Sequence, residues 1–360
     1  MPWLSDNLLH RLQTVADLPD LGETKYRLLE KFSRGGMGTI YLAEDTQLQR
    51  KVALKVLHTP DASGELSARM LREARVIAQL EHPSIVPVHD VGELPDGRVF
   101  YVMKFVQGRR LDQYAQAENA LPDRLRIFQK VCEAVAFAHA NGVIHRDLKP
   151  ENIMVGAFGE VLVMDWGLAK IVAEEEEQRT DDGVQKTQNK RINSPIRNPK
   201  SEINHRETQH GTVLGTPAYM APEQKRGDIA QIDQRSDIYA LGAILKFLLT
   251  GHSKAGLAQK DFLSSTTNSS ATRALPGAKI PKQLAAICAQ AMAEKKDQRY
   301  ASAQALAGDI VRFLNGLAVT SYKENIFERI LRWLKQYRFI LFLIAAYILA
   351  RILLTILLRP

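Results

Sequence analysis

The octapeptide HRDLKPEN, His145 to Asn152, carries three polar side chains whose types and spacing suit one chemistry. Asp147 offers a carboxylate, Lys149 a cation, and Asn152 a carboxamide. Phosphoryl transfer uses all three. A carboxylate orients the attacking hydroxyl and accepts its proton, a cation offsets charge on the transferring group, and an amide oxygen ligates a metal. A charged loop shows the same residue types by accident, so the reading depends on partners elsewhere in the chain.

Those partners must be positioned by the elements around the octapeptide. YRLLEKF from Tyr26 and TIYLA over 39–43 read as strands flanking the turn SRGGMG. Gly35, Gly36 and Gly38 there let backbone amides approach phosphate oxygens with no side chain in the way. Alone, such a hairpin resembles many ordinary turns. A third strand, KVALKVL, sets Lys55 among Val52, Leu54, Val56 and Leu57, and a lysine pointing inward from it needs a partner. The helix expected over 65–80 offers Glu73 beside Met70, Leu71, Ile77 and Ala78. Two more strands fit IVPVHDVG and RVFYVMKFV, joined by the turn Pro95-Asp96-Gly97. A long helix over 122–140 carries Leu125, Phe128, Cys132 and Val135 on one side and leads to the strand-like VIHRD. The hairpin NIMV and EVLVMDWG then ends in Asp165, where a metal ligand would face bound phosphates.

Composition narrows the class. A hydrophobic share of 45% supports a sizeable core, and 24% charged residues argues against wholesale disorder. The net charge of +8 comes without aromatic-basic interleaving or a nucleic-acid motif, so no nucleic-acid partner is expected. Cys132 and Cys288 lack metal-ligand spacing and read as small core residues in a reducing compartment. The start, MPWLSDNLL, does not read as a signal peptide, and Leu4, Leu8, Leu12 and Val15 mark residues 1–25 as an expected amphipathic extension.

The ordered set formed by the glycine turn, VALK, a helix Glu, HRDLKPEN, DWG, APE and SDIYALG resembles the eukaryotic-type (Hanks-type) Ser/Thr protein kinases of bacteria, over about residues 26–316. The resemblance implies an α+β, two-lobed fold, with a small β-rich N-lobe over 26–106 and a larger helical C-lobe over 107–316. It implies ATP and Mg2+ as cofactors and protein Ser/Thr hydroxyls as acceptors, with autophosphorylation between copies in a homodimer. Lys55 would hold phosphates and pair with Glu73, Asp147 would be the base, and Lys149 would touch the γ-phosphate. Asn152 and Asp165 would hold Mg2+. Ser33, Gly35, Gly36 and Gly38 would form the phosphate loop, and Ile40, Ala53 and Met154 would sandwich adenine. Met103 would be the gatekeeper, with Lys104–Val106 as the hinge. Ile77, Val88, His145 and Trp166 would stack as a spine, Glu223 would pair with Arg299, and Asp237 would brace the catalytic loop.

Several positions depart from the family pattern. Ser33 replaces the first loop glycine, which predicts a stiffer loop that still binds nucleotide. Trp166 replaces a Phe, and Lys104 takes a hinge position often held by Glu. The stretch from Gly167 to Ala221 is longer than the family commonly uses. Its excess, 174–209, is polar enough to read as a mobile insertion. Arg146 would face this segment, and phosphorylation of Thr208 or Thr212 would give it an anionic partner. Thr216 in GTPAYMAPE would bond near Asp147 and Lys149, and together with DLKPEN it favours Ser/Thr over Tyr acceptors.

The C-terminal residues suggest a membrane. Phe339–Leu358 is an apolar run with Arg351 as its single charge; as a helix rising ~1.5 Å per residue it matches a ~30 Å hydrocarbon core. Residues 317–338 before it carry Lys323, Arg329, Arg332, Lys335 and Arg338 with Trp333 and Tyr337. They read as a basic amphipathic helix hugging the cytoplasmic face, with no sensor domain expected beyond the span. Two alternatives from other classes are a membrane-tethered pseudokinase scaffold and a small-molecule phosphotransferase. The complete set Lys55, Glu73, Asp147, Asn152 and Asp165 argues against the first, and the peptide-docking segment GTPAYMAPE against the second.

Overall fold

The computed structural model describes residues 18–35, 38–116, 120–166, 170–171, 217–251 and 280–357. The alternating segments near the start fold as β1 (Tyr26–Arg34), β2 (Gly38–Asp45) and β3 (Arg50–Leu57). With β4 (Val88–Glu93) and β5 (Val99–Lys104) they form an antiparallel sheet in the order β1-β2-β3-β5-β4. The two-residue period sorts its side chains. Tyr41, Ala43, Val52, Leu54, Val56, Phe100 and Val102 form a small core on one face. Ala53, Leu57, Tyr101 and Met103 join the main core on the other. There α1 (Glu65–Gln79) packs through Met70, Ala74 and Ile77.

The strand expected over IVPVHDVG starts only at Val88. Pro87 lacks the N–H a ladder needs, so Ile85 and Val86 leave the sheet. Ile85 bridges Val163, and the Val86 N–H donates to the Val163 carbonyl at 3.2 Å. The displaced segment thus joins the sheet to the helical lobe.

That lobe follows β6 (Gly108–Arg110), α2 (Leu111–Gln116) and α3 (Leu121–Ala140). The expected face of α3, Leu125, Phe128, Cys132 and Val135, is fully buried. Of VIHRD only β7 (Val143–Ile144) is strand; the hairpin β8 (Ile153–Gly156) and β9 (Val161–Val163) follows, and β10 (Lys170–Ile171) pairs with β7. Further helices among the described residues of this lobe are α4 (Pro222–Lys225), α5 (Gln234–Thr250), α6 (Lys282–Ala291) and α7 (Ala303–Leu314). Ser302 caps α7 by accepting from the Ala305 N–H at 3.1 Å. Both cysteines are buried and free.

Residues 1–17 of the expected N-terminal extension and the insertion over 174–209 lie outside the described residues. What is described before β1 packs on the sheet: Leu21 enters the small core, and Arg98 donates to the Leu18 carbonyl at 3.2 Å.

Beyond α7, buried Asp309 straps the chain back onto the lobe. It accepts from the Tyr300 hydroxyl at 2.9 Å, the Thr320 N–H at 2.9 Å and hydroxyl at 2.7 Å, and the Ser321 N–H at 3.2 Å. Burial pushes this carboxyl up, but the donors from Thr320, Tyr300 and Ser321 outweigh it and hold the group below its ordinary range. Next come α8 (Ile326–Gln336) and α9 (Arg338–Leu357). On α8, Ile326, Phe327, Ile330, Leu331, Trp333 and Leu334 are exposed. Among the described residues no single helix is long and apolar enough to cross a membrane. Ile326–Leu334 and Arg338–Arg351, bent by 70°, meet that test only as a pair.

Replacing Asp309 by Ala strands the buried Tyr300 hydroxyl and frees the donors of Thr320 and Ser321. It should cost about 3 kcal/mol, a fall of roughly 6–12 °C in Tm, measured by calorimetry. An unchanged Tm would show that the strap adds no net stability.

Candidate active site

Lys55 lies opposite Ile40 on β2 and Tyr101 on β5, and extends toward α1. Its Nζ donates to Glu73 Oε1 at 2.7 Å and Oε2 at 3.0 Å. The side chains are only 11% and 1% exposed, so each charge replaces water with the other. The Tyr101 hydroxyl donates to Glu73 Oε1 at 2.8 Å. Burial, then the Glu73 charge, pushes that hydroxyl well up, which keeps it a donor. Tyr101 escaped the sequence reading. The available signal was one hydroxyl in an apolar strand, two residues before Met103.

Asp165 Oδ1 lies 3.6 Å from Lys55 Nζ, so the lysine touches carboxylates from both lobes. Asp165 is held at φ 59°, a left-handed conformation that costs an L-residue energy. The Met164 N–H donates to the Asn152 carbonyl at 2.8 Å, fixing this strand end beside the catalytic loop.

That loop is held from within the lobe. Asp237, in the first turn of α5 and fully buried, accepts from the His145 N–H at 2.8 Å and the Arg146 N–H at 2.9 Å. Its Oδ2 also accepts from His139 Nε2 at 2.8 Å. Burial pushes the Asp237 carboxyl up, yet His139 and then the loop donors hold it below the usual carboxylate range. The bonds secure Arg146 at φ 69°. His145 Nε2 faces the Met164 carbonyl at 3.1 Å, and the Asp147 N–H faces His145 Nδ1 at 3.3 Å. A carbonyl only accepts, so the proton sits on Nε2. The His145 ring packs against Trp166 at 4.6 Å between centroids, with the two planes tilted by 46°.

Within the loop, Lys149 Nζ donates to Asp147 Oδ2 at 2.6 Å. Asn152 Nδ2 donates to the Asp147 carbonyl at 3.0 Å, which commits its nitrogen and leaves the carboxamide oxygen for a cation. No group of three or more His, Cys, Asp or Glu side chains among the described residues could hold a metal. Asn152 and Asp165 supply one amide oxygen and one carboxylate. That pair fits a hard cation taking its remaining oxygens from water and phosphates.

Above these groups Ala53 pairs with Met103 across β3 and β5, and Ile40 packs against the same core. Met154 lies in β8. Val106 is buried and Lys104 exposed, and the Lys104 N–H is already committed to the Pro87 carbonyl at 3.1 Å. Ser33 sits exposed in β1, opposite Ile40. The Gly35 N–H closes the turn on the Gly38 carbonyl at 2.9 Å. A Cβ at Gly38 would lie 2.4 Å from the Val56 carbonyl oxygen, so only glycine fits. Gly36, Thr208, Thr212 and Thr216 lie outside the described residues.

Glu223 and Arg299 form a buried bidentate pair at 2.7 and 2.9 Å, and the Ser236 hydroxyl donates to Glu223 at 2.7 Å. Gln224, which no motif singled out, donates to the Arg146 carbonyl at 2.8 Å and ties α4 to the catalytic loop. Among the described residues, buried Arg146 Nε and Trp166 Nε1 have no hydrogen-bond partner.

The family model for the protein kinase domain matches residues 26–310. The serine/threonine-protein kinase PknD of Protochlamydia amoebophila is 35% identical over 81% of this chain and 30% of its own length. PknD of Chlamydia felis is 34% identical over 81% of this chain and 31% of its own. The chain therefore spans about a third of the length of these curated relatives. The crystal structure of the M. tuberculosis PknI kinase domain superposes with a TM-score of 0.52 at 25% identity, covering 82% of this chain and 97% of that one.

Asp237→Asn should lower stability by about 2–3 kcal/mol at pH 7. Because the folded carboxyl titrates below its unfolded value of about 3.9, that difference should hold down to about pH 5 and shrink below about pH 4. Urea unfolding of both proteins at several pH values measures it, and a gap that widens on acidification would contradict the assignment.

Proposed function

This chain belongs to the protein kinase family, and from that premise we propose that it transfers the γ-phosphoryl group of ATP to Ser and Thr hydroxyls of proteins. The observation that supports this reading best is the meeting of Lys55 with both Glu73 and Asp165, beside a loop that keeps Asp147, Lys149 and Asn152 in mutual contact.

Catalysis on such a site is positioning plus charge compensation. The acceptor oxygen bonds to the γ-phosphorus as the bond to the β–γ bridging oxygen breaks, and ADP departs. Asp147 orients the hydroxyl and takes its proton. Lys149 offsets charge on the transferring group, and Lys55, aligned by Glu73 and Tyr101, holds the α- and β-phosphates. Mg2+, held by Asn152 and Asp165, supplies further compensation when bound. Ile40, Ala53 and Met154 flank the adenine, Met103 limits the pocket's depth, and the Lys104 carbonyl and Val106 remain to read its edge.

The division into an extension (1–25), a kinase domain (26–316), a basic helix (317–338) and a membrane segment (339–358) belongs to the same proposal. The exposed apolar side chains of α8, on a helix that also carries Arg329, suit the interface of an anionic bilayer. The 70° bend into α9 would turn the following apolar run toward the hydrocarbon. The excess of basic residues puts the kinase domain on the cytoplasmic side. Thr208 and Thr212 are the proposed autophosphorylation sites that would engage Arg146, with a second copy of the chain as the phosphorylating partner.

Asp147→Asn should lower phosphotransfer to a protein acceptor about 10³-fold. Lys55→Met should abolish it, with phosphate appearing on Ser and Thr only in the native protein. Native-level transfer by Asp147→Asn would remove Asp147 as the base, and absence of transfer by the native protein would leave the chain a nucleotide-holding scaffold. In flotation assays the full chain should rise with anionic vesicles and a form lacking residues 323–360, which keeps the Asp309 strap, should stay behind. Equal behaviour of the two would end the membrane reading. Retention of full activity by the Thr208→Ala, Thr212→Ala double variant would remove the activation proposal.

A further inference from the structure

Gly35, which follows β1, is held by a residue that none of the kinase motifs includes. His58 directly follows β3, along which side chains alternate between the two cores. Ala53 and Leu57 share the main core on the Lys55 side, whereas Val52, Leu54 and Val56 belong to the small core on the opposite face. His58 continues the second set. Thr39, paired with Val56 across β2 and β3, stands on the same face. His58 Nε2 lies 2.8 Å from the Gly35 carbonyl oxygen, and its Nδ1 lies 3.3 Å from the Thr39 hydroxyl. The carbonyl only accepts, so Nε2 carries the proton and Nδ1 accepts from Thr39.

This contact decides which way one peptide carbonyl points. A glycine turn binds phosphate by presenting N–H groups, and a carbonyl oxygen swung into the cleft would repel the same anion. Glycine makes that swing easy, because its backbone occupies both signs of φ at similar energy. The bond from the Gly35 N–H to the Gly38 carbonyl closes the turn but leaves the Gly35 carbonyl unfixed. We propose that His58 is a positioning residue for nucleotide binding, holding the Gly35 carbonyl averted from the face that carries Lys55.

The inference rests on the nucleotide-site reading, and binding measurements on the full chain separate the two. The probe is a fluorescent ATP analogue with Mg2+, accompanied by KM values for ATP and for a protein acceptor. His58→Ala should weaken nucleotide binding about fivefold, the loss of one hydrogen bond. The KM for the acceptor should stay unchanged, and Tm should stay within about 2 °C. His58→Gln, whose amide nitrogen reaches the place of Nε2, should restore affinity to within about twofold of the native value, whereas His58→Asn, whose amide nitrogen stops at the place of Nδ1, should not. Equal affinity in native protein and His58→Ala would overturn the clamp, as would equal weakening by all three variants. Failure of the native chain to bind the analogue would remove the nucleotide site and the clamp together.

Discussion

A lysine enclosed by apolar side chains has lost its water, and the cost of that loss organises this molecule. The ammonium of Lys55 is acceptable inside the small lobe only because Glu73 meets it at hydrogen-bond distance. The carboxylate is acceptable only because Lys55 and the Tyr101 hydroxyl satisfy it. One interaction therefore fixes three elements at once: β3 by the lysine, α1 by the glutamate and β5 by the tyrosine. Asp165 joins from the other lobe at 3.6 Å. The distance between the lobes is thereby tied to the charge balance of one side chain.

The same rule governs the helical lobe, with the backbone as the partner. Asp237 is a fully buried anion whose compensation comes from His139 and from two successive N–H groups of the catalytic loop. A carboxylate that needs those amides holds the loop in a shape it would otherwise leave, including a left-handed Arg146. Gln224 grips the Arg146 carbonyl from the opposite side, and the buried Glu223–Arg299 pair anchors Gln224's own short helix. Asp147 is thus placed by interactions that lie behind it, away from any substrate.

Asp309 and His58 show the principle at the edges of the domain. Asp309 uses the donors of Thr320 and Ser321 to compensate its burial, and in doing so sets where the chain departs toward α8 and α9. His58 uses one ring nitrogen on the Gly35 carbonyl and the other on the Thr39 hydroxyl. Neither residue belongs to a motif, because each acts through geometry reached only after folding.

Much was legible in the linear chain. The strands flanking SRGGMG, the long helix over 122–140, the hairpin ending at Asp165 and the residues of HRDLKPEN all follow from local period and residue type, which the backbone enforces wherever the chain lies. The break at Pro87 was legible in principle, since a missing N–H is a property of the residue itself. What the sequence did not determine was pairing across distance. That Tyr101 faces Glu73, that Gln224 reaches Arg146, that Asp309 captures Thr320 and that His58 faces Gly35 depend on strand register and lobe packing. The physical reason is burial. Whether a polar side chain stays solvated or must find a partner is decided only when the core closes around it, and the nearest donor or acceptor is then set by three-dimensional proximity.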